Sequence, residues 1–201
     1  MVPQRFPPVV FFLLMTNFAM FVAGPALGLE RLFAQYLPLY ALGSPWFQVW
    51  QPVSYAFLHA DAYHLGFNMF ALWMFGRTIE EVWGSQRFAW FYLVCIVGAA
   101  AVQLAVAYFS ADLYSRTIGA SGGVFGILLA FGMTFPNQRI MLLFPPIPMK
   151  AKYFVIGYGA LELYLGLTRV NSSIAHFAHL GGMVFGLILI LYWRATRQIR
   201  R

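Results

Sequence analysis

Six stretches of the chain are apolar and of helical length: about Pro8–Leu27, His59–Ile79, Phe88–Phe109, Ile118–Phe135, Tyr153–Leu167 and Ile174–Trp193. Most come close to the roughly 20 residues that carry a helix across a hydrocarbon core about 30 Å thick. They are continuous runs rather than short alternating segments, which excludes a membrane β-barrel. The pattern predicts an all-α polytopic membrane protein, with six spans forming one domain over residues 1–201. The first stretch could be taken for a signal peptide, since Arg5 precedes it and Ala23-Gly24-Pro25-Ala26 supplies small residues. Its length and the five spans behind it favour an uncleaved helix.

Between the first two stretches, Gly28–Leu58 is too long and too aromatic for a plain loop. Trp46, Phe47, Trp50 and Tyr55, broken by Pro38, Pro45 and Pro52, fit a structure lying in a membrane interface. Phe144-Pro145-Pro146-Ile147-Pro148 is apolar but helix-breaking and predicts a stiff turn before the fifth span. Composition agrees with the pattern. The chain is 61% hydrophobic and 9% charged, whereas soluble domains carry about a quarter charged residues.

The net charge of +7 does not point to nucleic acid, because the basic residues lie between and after the apolar stretches. With the N-terminus inside, the inner segments hold ten of the 13 Lys and Arg residues: Arg5, Arg77, Arg87, Arg139, Lys150, Lys152, Arg194, Arg197, Arg200 and Arg201. The outer segments hold Arg31, Arg116 and Arg169. The excess puts both termini in the cytoplasm, with the tail Arg194–Arg201 near anionic headgroups. The chain carries no transit-type leader, which points to a bacterial plasma membrane. Cys95 is the single cysteine, so no internal disulfide exists and the compartment cannot be read from it. Its expected role is that of a buried spectator thiol.

Polar and ionisable groups inside a span are costly and are by default functional candidates. His64 and Asn68 lie in the second stretch, Ser121 in the fourth and His179 in the sixth. These three stretches run outside to inside in the predicted topology, and the three residues lie near their starts. At 1.5 Å per residue this sets His64, Ser121 and His179 at one level, roughly 5–10 Å below the outer surface. His64 and Asn68, spaced i, i+4, share a helix face. Ser121 falls in a first helical turn, where free backbone N–H groups favour a developing oxyanion. Gly122-x-x-x-Gly126 and Gly182-x-x-x-Gly186 offer two flat helix faces for close approach.

Each feature has a plainer reading by itself. A serine at a helix start is usually an N-cap, a membrane histidine is usually a hydrogen-bonded packing residue, and GxxxG says only that helices touch. The matched depth favours a serine hydrolase site. Glu162, inside the fifth stretch, is costly to bury charged; a third catalytic member is one reading, but no spacing ties it to His179 and a structural brace is the simpler role. His59 and His176 could join His64 and His179 around a metal, although interfacial hydrogen bonding is the simpler role. No metal and no cofactor is expected.

With these residues in place, the chain resembles the rhomboid family of intramembrane serine proteases over nearly its whole length. Gly119-x-Ser121-Gly122 resembles the family's nucleophile motif, and Ala178-His179-Leu180-Gly181-Gly182, with Gly186 beyond, its histidine motif. His64-Leu65-Gly66-Phe67-Asn68 resembles its H-x-x-x-N oxyanion element, and Glu80 with Gly84 its E-x-x-x-G turn. The resemblance implies a six-helix bundle with a Ser–His dyad and no third acidic member. Ser121 would attack, His179 would act as general base and then acid, and His64, Asn68 and the Ser121 backbone N–H would hold the oxyanion. Phe125 would stack on the histidine ring. Trp50-Gln51 departs from the family's Trp-Arg and puts the anchoring of the outer segment in doubt.

The expected function is therefore an endopeptidase that cuts transmembrane proteins near the outer face. Its partners are those substrates and the bilayer; oligomeric state and the route of substrate access are not legible. A catalytically silent, client-binding member of the same fold is the alternative, although such a protein has no need of Ser121 and His179. An ion or proton transporter using Glu162 and the histidines is a third class, but no pair of broken helices supports it.

Overall fold

The structure is a computed structural model that describes residues 7–141, 146–168 and 175–199. Arg5, Phe144, Pro145, Arg169, Ile174, Arg200 and Arg201, on which some sequence expectations rest, lie outside the described residues. The helices are α1 (Pro8–Leu27), α2 (Glu30–Tyr36), α3 (Gln51–Ser54), α4 (Ala62–Ala71), α5 (Arg77–Trp83), α6 (Ser85–Phe109), α7 (Ser121–Thr134), α8 (Ala151–Thr168) and α9 (His176–Ala195). Two short antiparallel pairs accompany them. β1 (Leu39–Tyr40) pairs with β2 (Arg116–Thr117), and β3 (Arg139–Met141) with β4 (Pro148–Lys150).

Three helices among the described residues are long and apolar enough to cross a membrane: α1, α6 and α9; α7 is apolar but shorter. α1 illustrates the solvent they are built for. Val10, Leu13, Asn17 and Gly24 are buried, while Phe11, Phe12, Met15, Phe18 and Val22 are exposed. A helix apolar on its packed and its exposed faces alike belongs in lipid. Asn17 is fully buried, and its amide donates to the Leu13 carbonyl (2.8 Å). The second apolar stretch is not one regular helix. Its α4 starts at Ala62, passes through a π-helical turn over Leu72–Gly76 and continues as α5 to Trp83.

α9 packs chiefly on α6 and α7, and this trio forms the centre of the bundle. Trp83, Phe91 and Trp193 close one end of it with edge-on ring contacts, Trp83 lying 5.1 Å from Phe91 and 5.7 Å from Trp193. Glu80 turns back on α1, where its carboxylate accepts from the Val9 and Val10 backbone N–H groups (3.0 and 2.8 Å). An anion there satisfies two donors that a helix start leaves unpaired. Arg194 ties the end of α9 to α7. Its Nη2 donates to the Met133 carbonyl (3.0 Å) near the end of α7, where a cation suits the helix dipole.

The segment between α2 and α4 is tied down by the residue at which sequence had put its anchoring in doubt. Gln51 is fully buried; its Oε1 accepts from Tyr40 N (3.2 Å), and its Nε2 donates to the carbonyls of Trp46 (2.9 Å) and Tyr36 (3.3 Å). The neutral amide thus anchors the loop without an arginine. Gln51→Ala strands Tyr40 N and the Trp46 carbonyl, while the Tyr36 carbonyl keeps Trp50 Nε1 (3.0 Å), and is expected to lower stability by about 2–4 kcal/mol, measured by unfolding in detergent. An unchanged unfolding midpoint would show that the loop holds by its other contacts. Tyr55 is almost wholly buried within the protein. Its hydroxyl donates to the Ile96 carbonyl (2.7 Å). Trp46 and Trp50 do stay about half exposed.

Candidate active site

Three helix starts and one glycine turn build the site. Asp61 caps α4, its Oδ1 accepting from His64 N (2.8 Å), and so sets His64 in the first turn. Ser121 is the first residue of α7, whose cap is Ala120 and carries no side-chain bond. The N-cap reading of the serine therefore fails, and its hydroxyl is free for other work. It lies 2.8 Å from His179 Nε2. His179 sits one turn into α9, after His176.

Close packing of α7 on α9 makes this contact. A Cβ placed on Gly182 would overlap the carbonyl oxygen of Gly122, and on its other side α7 is held as closely by α6, where a Cβ on Gly122 would meet Ala99 Cβ at 2.5 Å. Gly126 and Gly186 both face the sulfur of Cys95, which is buried and free and fills the seam between the helices. Gly119 adopts φ +122°, a conformation glycine adopts without strain, and its N–H is held by the Tyr55 carbonyl (2.9 Å).

Gly119 also leaves open space beside Ser121. A Cβ there would lie 2.8 Å from His64 Nε2 and 3.6 Å from Ser121 Oγ, so the missing methyl leaves a gap bordered by both. His64 Nδ1 accepts from Ala60 N (3.4 Å), which assigns the ring proton to Nε2, the nitrogen facing that gap. Asn68 is buried, and its Nδ2 donates to the His64 carbonyl (2.9 Å). An amide nitrogen has two hydrogens, so one is committed to the helix and one is left.

Phe125 lies flat on the His179 ring, with centroids 4.3 Å apart and planes 7° from parallel. Tyr158 stacks behind Phe125 at 5.3 Å and Phe154 behind Tyr158 at 5.5 Å. This extension into α8 escaped the sequence reading, because nothing local marks which face of α8 meets α7. The stack restricts rotation of the imidazole and holds Nε2 towards the hydroxyl.

The histidines divide differently from a four-histidine metal cluster. His59 touches His64 edge-on at 4.9 Å, and its two ring nitrogens are buried without a hydrogen-bond partner. His176 and His179 turn to Glu162 instead. Glu162 Oε2 lies 2.7 Å from His176 Nδ1 and 3.0 Å from His179 Nδ1. The donor atoms of these three residues lie within 4.8 Å of one another. Sequence spacing gave no tie between Glu162 and His179; the structure supplies one across α8 and α9.

The bundle and the hydroxyl–imidazole pair at one end of it define the class: an all-α membrane protein with a serine–histidine site. The Rhomboid domain family model matches residues 47–196, and the chain belongs to the rhomboid family. It is 30% identical to "Rhomboid protein 1, mitochondrial" of Saccharomyces cerevisiae over 148 residues, covering 73% of this chain and 42% of that protein. It is 30% identical to "Rhomboid protease GlpG" of Serratia proteamaculans over 150 residues, covering 75% and 50%. The figure for "Rhomboid protease GluP" of Bacillus subtilis is 32% over 137 residues, covering 68% and 24%. The chain thus spans half or less of the length of these curated relatives.

Proposed function

We propose that this protein is an intramembrane serine endopeptidase that cuts transmembrane protein substrates near the outer face of the membrane. The observation that carries the reading is the 2.8 Å contact between Ser121 Oγ and His179 Nε2. In the proposed reaction Ser121 Oγ attacks the scissile carbonyl carbon while His179 Nε2 takes the hydroxyl proton. The oxyanion forms in the gap over Gly119, facing His64 Nε2–H, the remaining Asn68 N–H and the Ser121 backbone N–H. Collapse breaks the C–N bond, and the amine leaves with the proton from His179. Water, deprotonated by the same nitrogen, then releases the acyl group from Ser121.

A substrate helix must unwind at the cut, because an intact helix keeps its carbonyls hydrogen-bonded and away from a nucleophile. The proposed setting is one six-span domain with both termini in the cytoplasm, which rests on the Lys and Arg asymmetry. The relatives support a membrane location without choosing between a mitochondrial membrane and the bacterial plasma membrane that sequence suggested.

The test is labelling of the purified protein in liposomes with a fluorophosphonate, together with cleavage of single-span membrane proteins. The wild type is expected to take up the label on Ser121 and to cut at least one substrate; Ser121→Ala is expected to do neither. A folded wild type that neither labels nor cuts would favour the client-binding reading, and cleavage by Ser121→Ala would exclude this mechanism.

A further inference from the structure

We propose that Glu162 is a positioning residue for His179, which turns the serine–histidine pair of this chain into a Ser121–His179–Glu162 relay with His176 as its second support. The inference rests on the reading above and goes beyond the two-membered site that the family resemblance implies. It starts from the line of atoms through one ring. Ser121 Oγ lies 2.8 Å from Nε2 of His179, and Glu162 Oε2 lies 3.0 Å from Nδ1 of the same imidazole.

With Glu162 ionised, the hydrogen-bonding chemistry of the three groups orders the protons. An ionised carboxylate only accepts hydrogen bonds, so a glutamate oxygen against Nδ1 requires the proton on Nδ1. Nε2 is then left with its lone pair, aimed at the serine hydroxyl. This is the tautomer a general base needs, and an acidic residue in this place also stabilises the imidazolium that forms as the serine proton arrives. His176 makes the arrangement rigid. Its Nδ1 lies 2.7 Å from the same Oε2, so that oxygen has two donors and cannot swing away from His179 without losing both.

A brace between helices is the plainer role, but it accounts poorly for the identity of the residue. α8 and α9 already meet through Gly166 against Phe177 and Gly159 against Met183, contacts that need no charge. A buried carboxylate is costly to desolvate, and Glu162 is buried. Its placement behind the imidazole, opposite Ser121, gives that cost a chemical return that packing does not.

The test compares fluorophosphonate labelling of full-length wild type and variants in liposomes, resolved into inactivation rate and probe affinity. Glu162→Gln keeps the size and an acceptor oxygen but removes the charge. It is expected to lower the maximal inactivation rate by roughly 10- to 10³-fold with probe affinity unchanged, and Glu162→Asp is expected to recover part of the loss. The melting temperature should stay close to wild type. A folded Glu162→Gln that labels within about threefold of wild type overturns the relay and leaves the proteolytic reading standing, whereas an inert wild type removes both. His176→Gln is a second probe, expected to slow labelling several-fold by freeing the carboxylate; no change in that variant overturns the supporting role. Labelling that falls on chelation with EDTA and returns with added zinc would make the cluster a metal site and overturn the relay.

Discussion

His179→Ala is expected to lower the turnover of a transmembrane substrate by about 10⁴-fold or more, and Ser121→Ala by a similar factor. The argument is that the two side chains act as a unit. A serine hydroxyl is a weak nucleophile without a base within reach, and His179 Nε2, 2.8 Å away, is the group the structure brings to Ser121. Removing either one removes the same step, so the double variant should be no slower than the slower single one. What remains would come from substrate binding and from the donors around Gly119. The measurement is single-turnover cleavage in liposomes with substrate in the bilayer. Losses that multiply in the double variant would show that the two residues act in separate steps. A His179→Ala protein with more than a tenth of wild-type turnover would show that another base serves Ser121. Stability should change far less, because Glu162 keeps His176 as a donor at 2.7 Å.

The sequence exposes the parts of this protein that are local and hides those that depend on helix rotation. Long apolar runs make the membrane-helix class legible, and the glycines around Ser121 and His179 mark where helices can touch. Serine, histidine and H-x-x-x-N can each be picked out because a polar group in an apolar run stands against its background. The link from Glu162 to His179 is different. It joins two helices across 17 residues, and it depends on which face α8 turns to α9. No periodicity records that rotation, since α8 exposes apolar residues such as Tyr153, Ile156 and Leu163 on its outer side as well. The same ambiguity hides Tyr158 behind Phe125. Gln51 teaches a separate lesson, because a loop anchor depends on where donors and acceptors lie rather than on charge. A buried amide with three backbone partners fills that role. The start of α4 at Ala62 rather than at His59 has a local cause in Asp61, whose side chain caps the helix.

Gly182→Ala is expected to cut cleavage about 100-fold or more, although the substitution adds one methyl and touches neither reacting group. Its Cβ would fall on the carbonyl of Gly122, whose carbon lies 2.7 Å and whose Cα lies 3.2 Å from that position. These are backbone atoms of α7 and have no rotamer to yield, so the two helices must part by on the order of 1 Å, and a misplacement of that size can cost about 100-fold in rate. Gly122 directly follows Ser121, so the displacement acts on the hydroxyl and lengthens its contact with His179. Overpacking of this kind costs about 1–3 kcal/mol in stability, which leaves folded protein to assay. Gly186→Ala, one turn further along the same face of α9, is the internal comparison. Its Cβ would meet Phe91 Cζ at 3.0 Å and Cys95 Sγ at 3.1 Å, both ends of side chains that can shift by a few tenths of an ångström. That variant is expected to keep activity within a few-fold of wild type. If the two alanines behave alike in single-turnover cleavage, helix separation in general is what the protein resists. If Gly182→Ala alone fails, the approach of α9 to the Gly122 carbonyl is what sets Ser121 against its base.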